Sequence, residues 1–415
     1  MNTDWKKKNL DILEQHLRDG CKLHCIQKLG VEIEHILVDR QSREAVTYQE
    51  EKGVHWILEQ LSREFPVKMS EKGNLLGLAN LDYTITLEPA AQLEISIAPK
   101  ESIAVIEKVY ESFLALLDPL LKQCDYELVT QGYQPHSLVD ELPMIPKKRY
   151  AYMDDYFKTS GTRGRHMMRG TASAQISIDY CCEPDFIRKY RTVSILMPAI
   201  KLLSDNTRYF EGKPYKDYLA RTDIWNHVDP RRCGILDGIF EENFGFHTYA
   251  EYLWNLPLIF LPTPQGSVAT GTRTVGEIWS DRELSPEDVD HVLSMTFLDV
   301  RVKHYIEIRG ADSMPEEYVL AYLALIKGIF FKPEVQGKLL SLYPVGKEDI
   351  IRAEQSLQRD GYEGVIYQKP AADFVRELLC LAAENLDQSE AAYLKPFEKL
   401  AERKMTLAKE HYESN

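Results

Sequence analysis

Gly30-Val31-Glu32-Ile33-Glu34-His35 alternates strictly. In an extended chain it puts Val31 and Ile33 on one side and the carboxylates of Glu32 and Glu34 on the other. Two like charges side by side on one strand face call for a cation. Gln92-Leu93-Glu94-Ile95-Ser96-Ile97 repeats the pattern: Leu93, Ile95 and Ile97 form the apolar row, and Gln92, Glu94 and Ser96 the polar one. From Thr171 to Asp179 every odd position is polar and every even one apolar. From Arg301 to Arg309, the residues Arg301, Lys303, Tyr305, Glu307 and Arg309 share one side, with Ile306 and Ile308 on the other. A single strand of this kind is best read as one with a solvated outer face. Four together, loaded with Glu32, Glu34, Glu94, Glu307, Gln175 and Arg309 and holding little lysine, are read as one shared site. Glu88 lies just upstream of Pro89, which bends or begins the strand there. Parity alone leaves open whether Glu88 and Glu94 converge.

Helical spacing of apolar residues runs over 4–28, 54–64, 101–123 and 185–204, and again from Pro315 onward; beyond about 346 the pattern is almost wholly helical. Helices alternating with two-faced strands give an α+β chain. Residues 1–415 are expected to form a single catalytic domain with a mostly helical region over about 346–415. At 415 residues and 44% hydrophobic, the chain needs no disulfide or metal to complete its core.

A net charge of −14 argues against a nucleic-acid surface or an anionic membrane face, and leaves small molecules as the expected partners. Residues 1–10 lack the apolar stretch of an export signal, and no apolar run approaches membrane-spanning length. Seven scattered cysteines suit a reducing compartment, so the cytoplasm is expected. Cys21, His24 and Cys25 lack a second Cys/His pair to complete a zinc site, and the adjacent Cys181 and Cys182 are expected to point to opposite sides of a strand end.

Carboxylate and amide oxygens without a Cys/His cluster favour hard cations, Mg²⁺ first and Mn²⁺ as an alternative. Magnesium suggests nucleotide phosphates, yet neither a G-x-x-x-x-G-K-[ST] loop nor a strand-linked G-x-G-x-x-G is present. ATP would then be held through metals and basic side chains. Those cluster in 147–169, where Lys147, Lys148, Arg149, Arg163, Arg165 and Arg169 flank Gly161 and Gly164, read as a mobile cationic loop. Arg149 and Arg169, beside Tyr150, Tyr152, Met167 and Met168, are the two expected to be partly buried and to grip a ligand. Metal-assisted phosphoryl transfer is the chemistry this set suits.

The segments 30–35, 87–96, 149–153, 167–175, 224–234 and 305–312 together resemble the plant and bacterial type of glutamate–cysteine ligase, over most of the chain. The resemblance implies a glutamine synthetase/guanido kinase-like fold: a curved, mainly antiparallel sheet forming an open funnel with a polar inner face and helices outside. It implies that L-glutamate is activated by ATP to γ-glutamyl phosphate and captured by L-cysteine, the first step of glutathione-type thiol synthesis. Glu32, Glu34, Glu88, Glu94 and Glu307, with Gln175 a weaker member, would hold magnesium. Arg309, Glu307 and Arg169 would serve catalysis, and Arg149, Tyr152, Arg169, Thr171, Trp225 and Arg232 would bind substrate. Ala90-Ala91 departs from the glycines expected before Gln92 and should stiffen that turn. Two other functions fit the same residues: a γ-glutamyl ligase using another amine, and a catalytically silent ligand-binding homologue.

Overall fold

The computed structural model describes residues 4–22, 26–264 and 266–410; His24 and Cys25 lie outside the described residues. Nine strands form the main sheet: β1 (Leu29–Asp39), β2 (Val67–Glu71), β3 (Asn74–Ala79), β4 (Tyr83–Leu87), β5 (Leu93–Lys100), β6 (Tyr126–Val129), β7 (Ser173–Ile178), β8 (Val300–Val302) and β9 (Ile306–Asp312). Their order is β8-β9-β7-β1-β5-β4-β3-β2, with β6 paired to the far half of β1, and every pairing is antiparallel. The sheet is open. β1 lies near its middle: Val31, Ile33 and Leu37 are buried in the main core on one face, and the strand is hydrogen-bonded to β5 along one edge and β7 along the other.

Helix α1 (Trp5–Asp19) is capped by Asp4, which accepts from the Lys7 amide, and it ends at Gly20, well short of residue 28. Helix α2 (Ile103–Cys124) packs on β5 and β6. The apolar face near β9 is covered by a long helix, Glu183–Ser204, buried on all sides from Thr192 onward and therefore without an amphipathic stripe. Helix Glu316–Phe330 packs on β7 and against Ala371–Ala383, which with Lys347–Asp360 and Lys395–Arg403 fills most of the chain beyond 346. No helix among the described residues is long and apolar enough to cross a membrane.

Three local readings change. Residues 147–169 are not a loop but two helices, α3 (Lys148–Ser160) and α4 (Gly164–Gly170): Tyr150, Met153 and Phe157 recur at helical spacing and are buried. Gly161 separates them where a Cβ would meet the His227 carbonyl oxygen at 2.3 Å. Arg301 to Arg309 is a hairpin, not one strand, with the Lys303 amide donating to the Tyr305 carbonyl oxygen. Its polar face survives the turn because Arg301 stands directly opposite Glu307. The sulfurs of Cys181 and Cys182 are unbonded thiols but face each other at 3.8 Å.

Candidate active site

Register places the loaded side chains in rows across β4, β5, β1, β7, β9 and β8. Glu34 pairs with Glu94 and Glu94 with Thr86; Glu32 pairs with Ser96 on one side and Gln175 on the other; Glu307 lies between Ser177 and Arg301. Beyond Ile308 the sheet carries a bulge: Ile308 faces Ile176 and Ala311 faces Ala174, so Arg309 and Gly310 together oppose Gln175. The extra residue shifts the alternation, and Arg309 and Asp312 both leave the apolar side. Gly310 leaves room for the buried Met197 side chain, since a Cβ would come within 2.3 Å of its Sδ.

Above this face is a cavity of about 310 Å³, closed by α3, α4 and a short helix α5 (Ala220–Asn226). Glu32, Glu34, Glu88, Glu94, Gln175, Arg149, Thr171, Trp225 and Arg309 all line it. Glu88 is brought in by a tight turn in which its amide donates to the Gln92 carbonyl and its carbonyl accepts from Ala91. Ala91 adopts φ 71°, a left-handed conformation that glycine would take more easily. Gln92 locks the turn: its side-chain oxygen accepts from the Ala90 amide, and its nitrogen donates to the carbonyls of Met168 and Thr171.

Four expected residues stand elsewhere. Glu307 is wholly buried behind the cavity wall, its carboxylate taken by Arg301 Nε at 2.5 Å, Arg309 Nη1 at 2.9 Å and Lys303 Nζ at 3.3 Å. Arg169 donates to Asp154 and to the carbonyls of Val139 and Leu142, which fixes it outside the cavity. Arg232 is fully buried among Asp229, the Tyr156 hydroxyl and the carbonyls of Met295 and Pro257. The Tyr152 hydroxyl donates to the Ser267 carbonyl. None of these last three lines the cavity, and existing partners take up the polar groups of Arg232 and Tyr152 and both terminal nitrogens of Arg169, leaving only its buried Nε unpaired.

Arg221 is the residue the sequence reading missed. It lines the cavity, is 5% exposed, and donates from Nη1 to the Arg309 carbonyl oxygen at 3.1 Å, while its Nε has no partner. Its guanidinium lies 5.5 Å from the Trp225 ring, one helical turn away on α5. That i, i+4 spacing from Trp225 was the available signal. Arg149 Nε and Trp225 Nε1 are also buried donors without partners. Lys147, Arg301 and Lys303 complete the basic lining.

The electrostatics divide the carboxylates. Burial, then Glu94 and Glu307, pushes Glu32 up to about 8; burial, then Glu88 and Glu94, does the same for Glu34. Burial and Glu88 raise Glu94 to about 7. Burial raises Glu88 as well, against the pull of Lys147, Arg149 and Arg309. Burial acts on Glu307 too, but Arg301, Arg309 and Lys303 outweigh it and hold that carboxyl well below the usual range. Among the described residues no three acidic, His or Cys side chains close into a ready-made metal cage. The four cavity carboxylates instead surround open space and repel one another, which a hard divalent cation would relieve.

An open antiparallel sheet with one ionic face and helices on the other defines the glutamine synthetase-like class of folds. The same fold is found in the crystal structure of glutamate–cysteine ligase from Francisella tularensis in complex with AMP (TM-score 0.58, 10% identity, covering 95% of this chain and 85% of that one). The chain belongs to glutamate-cysteine ligase family 2, which matches residues 28–410. It is 30% identical over 330 residues to glutamate–cysteine ligase B, chloroplastic, of Oryza sativa subsp. japonica, covering 78% of this chain and 66% of the rice protein. It is 27% identical over 409 residues to the chloroplastic enzyme of Arabidopsis thaliana, covering 95% of this chain and 77% of that one. The chain thus spans about two thirds of the rice relative's length.

Proposed function

We propose that the chain is an ATP-dependent ligase joining the γ-carboxylate of L-glutamate to the amino group of L-cysteine. The observation that carries this is one cavity holding four buried carboxylates opposite Arg309, Arg221 and Arg149, in a chain of this family. The γ-carboxylate attacks the terminal phosphorus of ATP and ADP leaves. The amine then attacks the acyl carbon of γ-glutamyl phosphate, inorganic phosphate leaves, and the amine's proton passes to solvent.

Arg309, anchored to Glu307 and to the Gln175 side-chain oxygen, is aimed at the charge that develops on the transferring group, with Arg301 and Lys303 adding to the field. Arg221 and Arg149, with buried donors still free, suit the α-carboxylate of glutamate. Met153, Met167, Met168, Trp225 and Phe297 supply an apolar wall that excludes water and suits a small thiol side chain. The donor set is all hard oxygen: Glu32, Glu34, Glu88 and Glu94 would hold Mg²⁺, or Mn²⁺ in its place, and the ion would supply neutralisation of phosphate charge. Glu307 acts here as the anchor of Arg301 and Arg309 rather than as a ligand. A second cavity, of about 280 Å³, shares Glu32 and is lined by Lys22, Lys28 and Tyr305, which suits the remainder of the nucleotide.

The six cysteines described are all free thiols, which supports a reducing compartment and our assignment to the cytoplasm; the names of the plant relatives specify the chloroplast. One continuous apolar core from Leu10 to Leu407 supports treating the chain as one catalytic unit.

The test is ADP release by purified protein with ATP, Mg²⁺ and glutamate, with and without cysteine, beside Arg309→Met. Cysteine-dependent release that the variant loses supports the ligase. Release with another amine moves the acceptor, and no release with any amine leaves a silent homologue.

A further inference from the structure

Arg309 owes its place to more than its guanidinium contacts. Its amide donates to the Asp299 carbonyl oxygen at 2.9 Å and its carbonyl accepts from Arg221 Nη1, so the backbone at the bulge is gripped from both sides. Asp299 is in turn fixed by its amide, which donates to the Gly234 carbonyl, and by its carboxylate, which accepts from Lys201 Nζ at 2.8 Å. The same Nζ donates to Glu354 Oε1 at 2.8 Å. Lys201 comes from the long buried helix Glu183–Ser204 and Glu354 from the helix Lys347–Asp360; both side chains are almost fully buried. The lysine stem passes directly beneath Gly310, where an added Cβ would lie 3.2 Å from Lys201 Cε.

We infer that Lys201, Asp299 and Glu354 form a positioning network that sets Arg309 at the bulge from behind, linking the C-terminal helices to the catalytic face. The inference rests on the ligase reading for its kinetic arm alone. Apolar packing already holds this helix on the sheet, and burying a lysine with two carboxylates adds desolvation cost without improving that packing. An ion triad contributes direction: each charge has one low-energy position, and the bonded chain Glu354–Lys201–Asp299 ends on the amide of the residue whose guanidinium faces the cavity. A displacement of about 1 Å at such a group is enough to lower a rate by roughly two orders of magnitude. The positioning residues touch no substrate.

The experiment compares Lys201→Met and the milder Glu354→Gln, in the whole protein, with Lys189→Met. Lys189 sits on the same helix, equally buried and paired with Asp185 at 3.2 Å and with the Asp179 carbonyl oxygen at 2.7 Å, neither of which bonds to Arg309 or Asp299. All three variants lose stability, so stability does not discriminate. Expected are kcat values falling in the order wild type, Glu354→Gln, Lys201→Met, with a drop of at least 30-fold for the last, KM for glutamate within threefold throughout, and Lys189→Met retaining kcat. In parallel, amide hydrogen exchange at Arg309 speeds at least tenfold in Lys201→Met and is unchanged in Lys189→Met. Unchanged exchange at Arg309 in folded Lys201→Met overturns the network, as does an equal kcat loss in Lys189→Met. If the wild type releases no ADP with any amine, the ligase reading falls while the exchange arm still decides the network.

Discussion

Arg221 and Arg232 come from one short stretch and do different work. Arg221 keeps a buried donor unpaired beside an open cavity; Arg232 spends its donors on Asp229, Tyr156 and two carbonyls. Arg221→Lys, which keeps the charge but not the fork, should raise KM for glutamate by roughly 100-fold, the scale of one lost charged, two-point contact. Arg232→Met should instead leave Asp229 buried without its cation and cost about 3–5 kcal/mol in urea unfolding. Its glutamate KM, measured on folded protein, should stay near wild type. Asp205, buried at the end of the long helix with Asp312 nearby, gives a pH signature. Burial first, then Asp312, pushes it from the ordinary 3.8 up to about 7. The folded protein therefore holds that proton more tightly than the unfolded chain. Its contribution is fully favourable below about pH 4 and is lost as pH rises toward about 7. The stability of Asp205→Asn relative to wild type should climb over that window and level off above it; a flat difference from pH 4 to 8 would refute the assignment.

At the scale of the element, the bulge at Arg309 and Gly310 sets the catalytic face of β9. Gly310→Ala drives a methyl into Met197 and should cost about 1–3 kcal/mol. Met197 and the Lys201 stem must shift to make room, and because Lys201 and the strand both lead to Arg309, kcat should fall further than stability alone explains, as activity assays on the folded fraction will report. The strand faces that carry the site were legible because alternation is enforced wherever one side is buried: Glu32, Glu34, Glu94 and Gln175 sit where their parity puts them. The bulge was not, since nothing in Ile308-Arg309-Gly310-Ala311 says which residue is extra until β7 lies alongside. The two helices over 147–169 were hidden by Gly161 and Gly164, which mark a break between helices as readily as a loop. Arg169, Arg232 and Tyr152 show the limit of motif matching: a residue inside a matching segment can face the scaffold, and only its hydrogen-bond partners reveal which way it turned.

The whole molecule carries a net charge of −14, yet the main cavity is lined by six basic side chains against four carboxylates. These two facts act over different distances. Seen from far off, a polyanion such as ATP is repelled by the acidic exterior; only within the mouth does it meet Arg149, Arg221 and Arg309. Salt screens charges separated by more than a Debye length, on the order of 10 Å at 0.1 M, and reaches buried groups much less. Raising an inert salt from low to moderate concentration should therefore weaken the repulsion first. The value of kcat/KM for ATP should rise, or at least hold, over that range, whereas a steep decline would place the capturing cations on the surface. On the proposed ligase reading, the acidic exterior acts on the nucleotide's approach and the cavity cations on its capture, so salt and side-chain substitution separate the two stages.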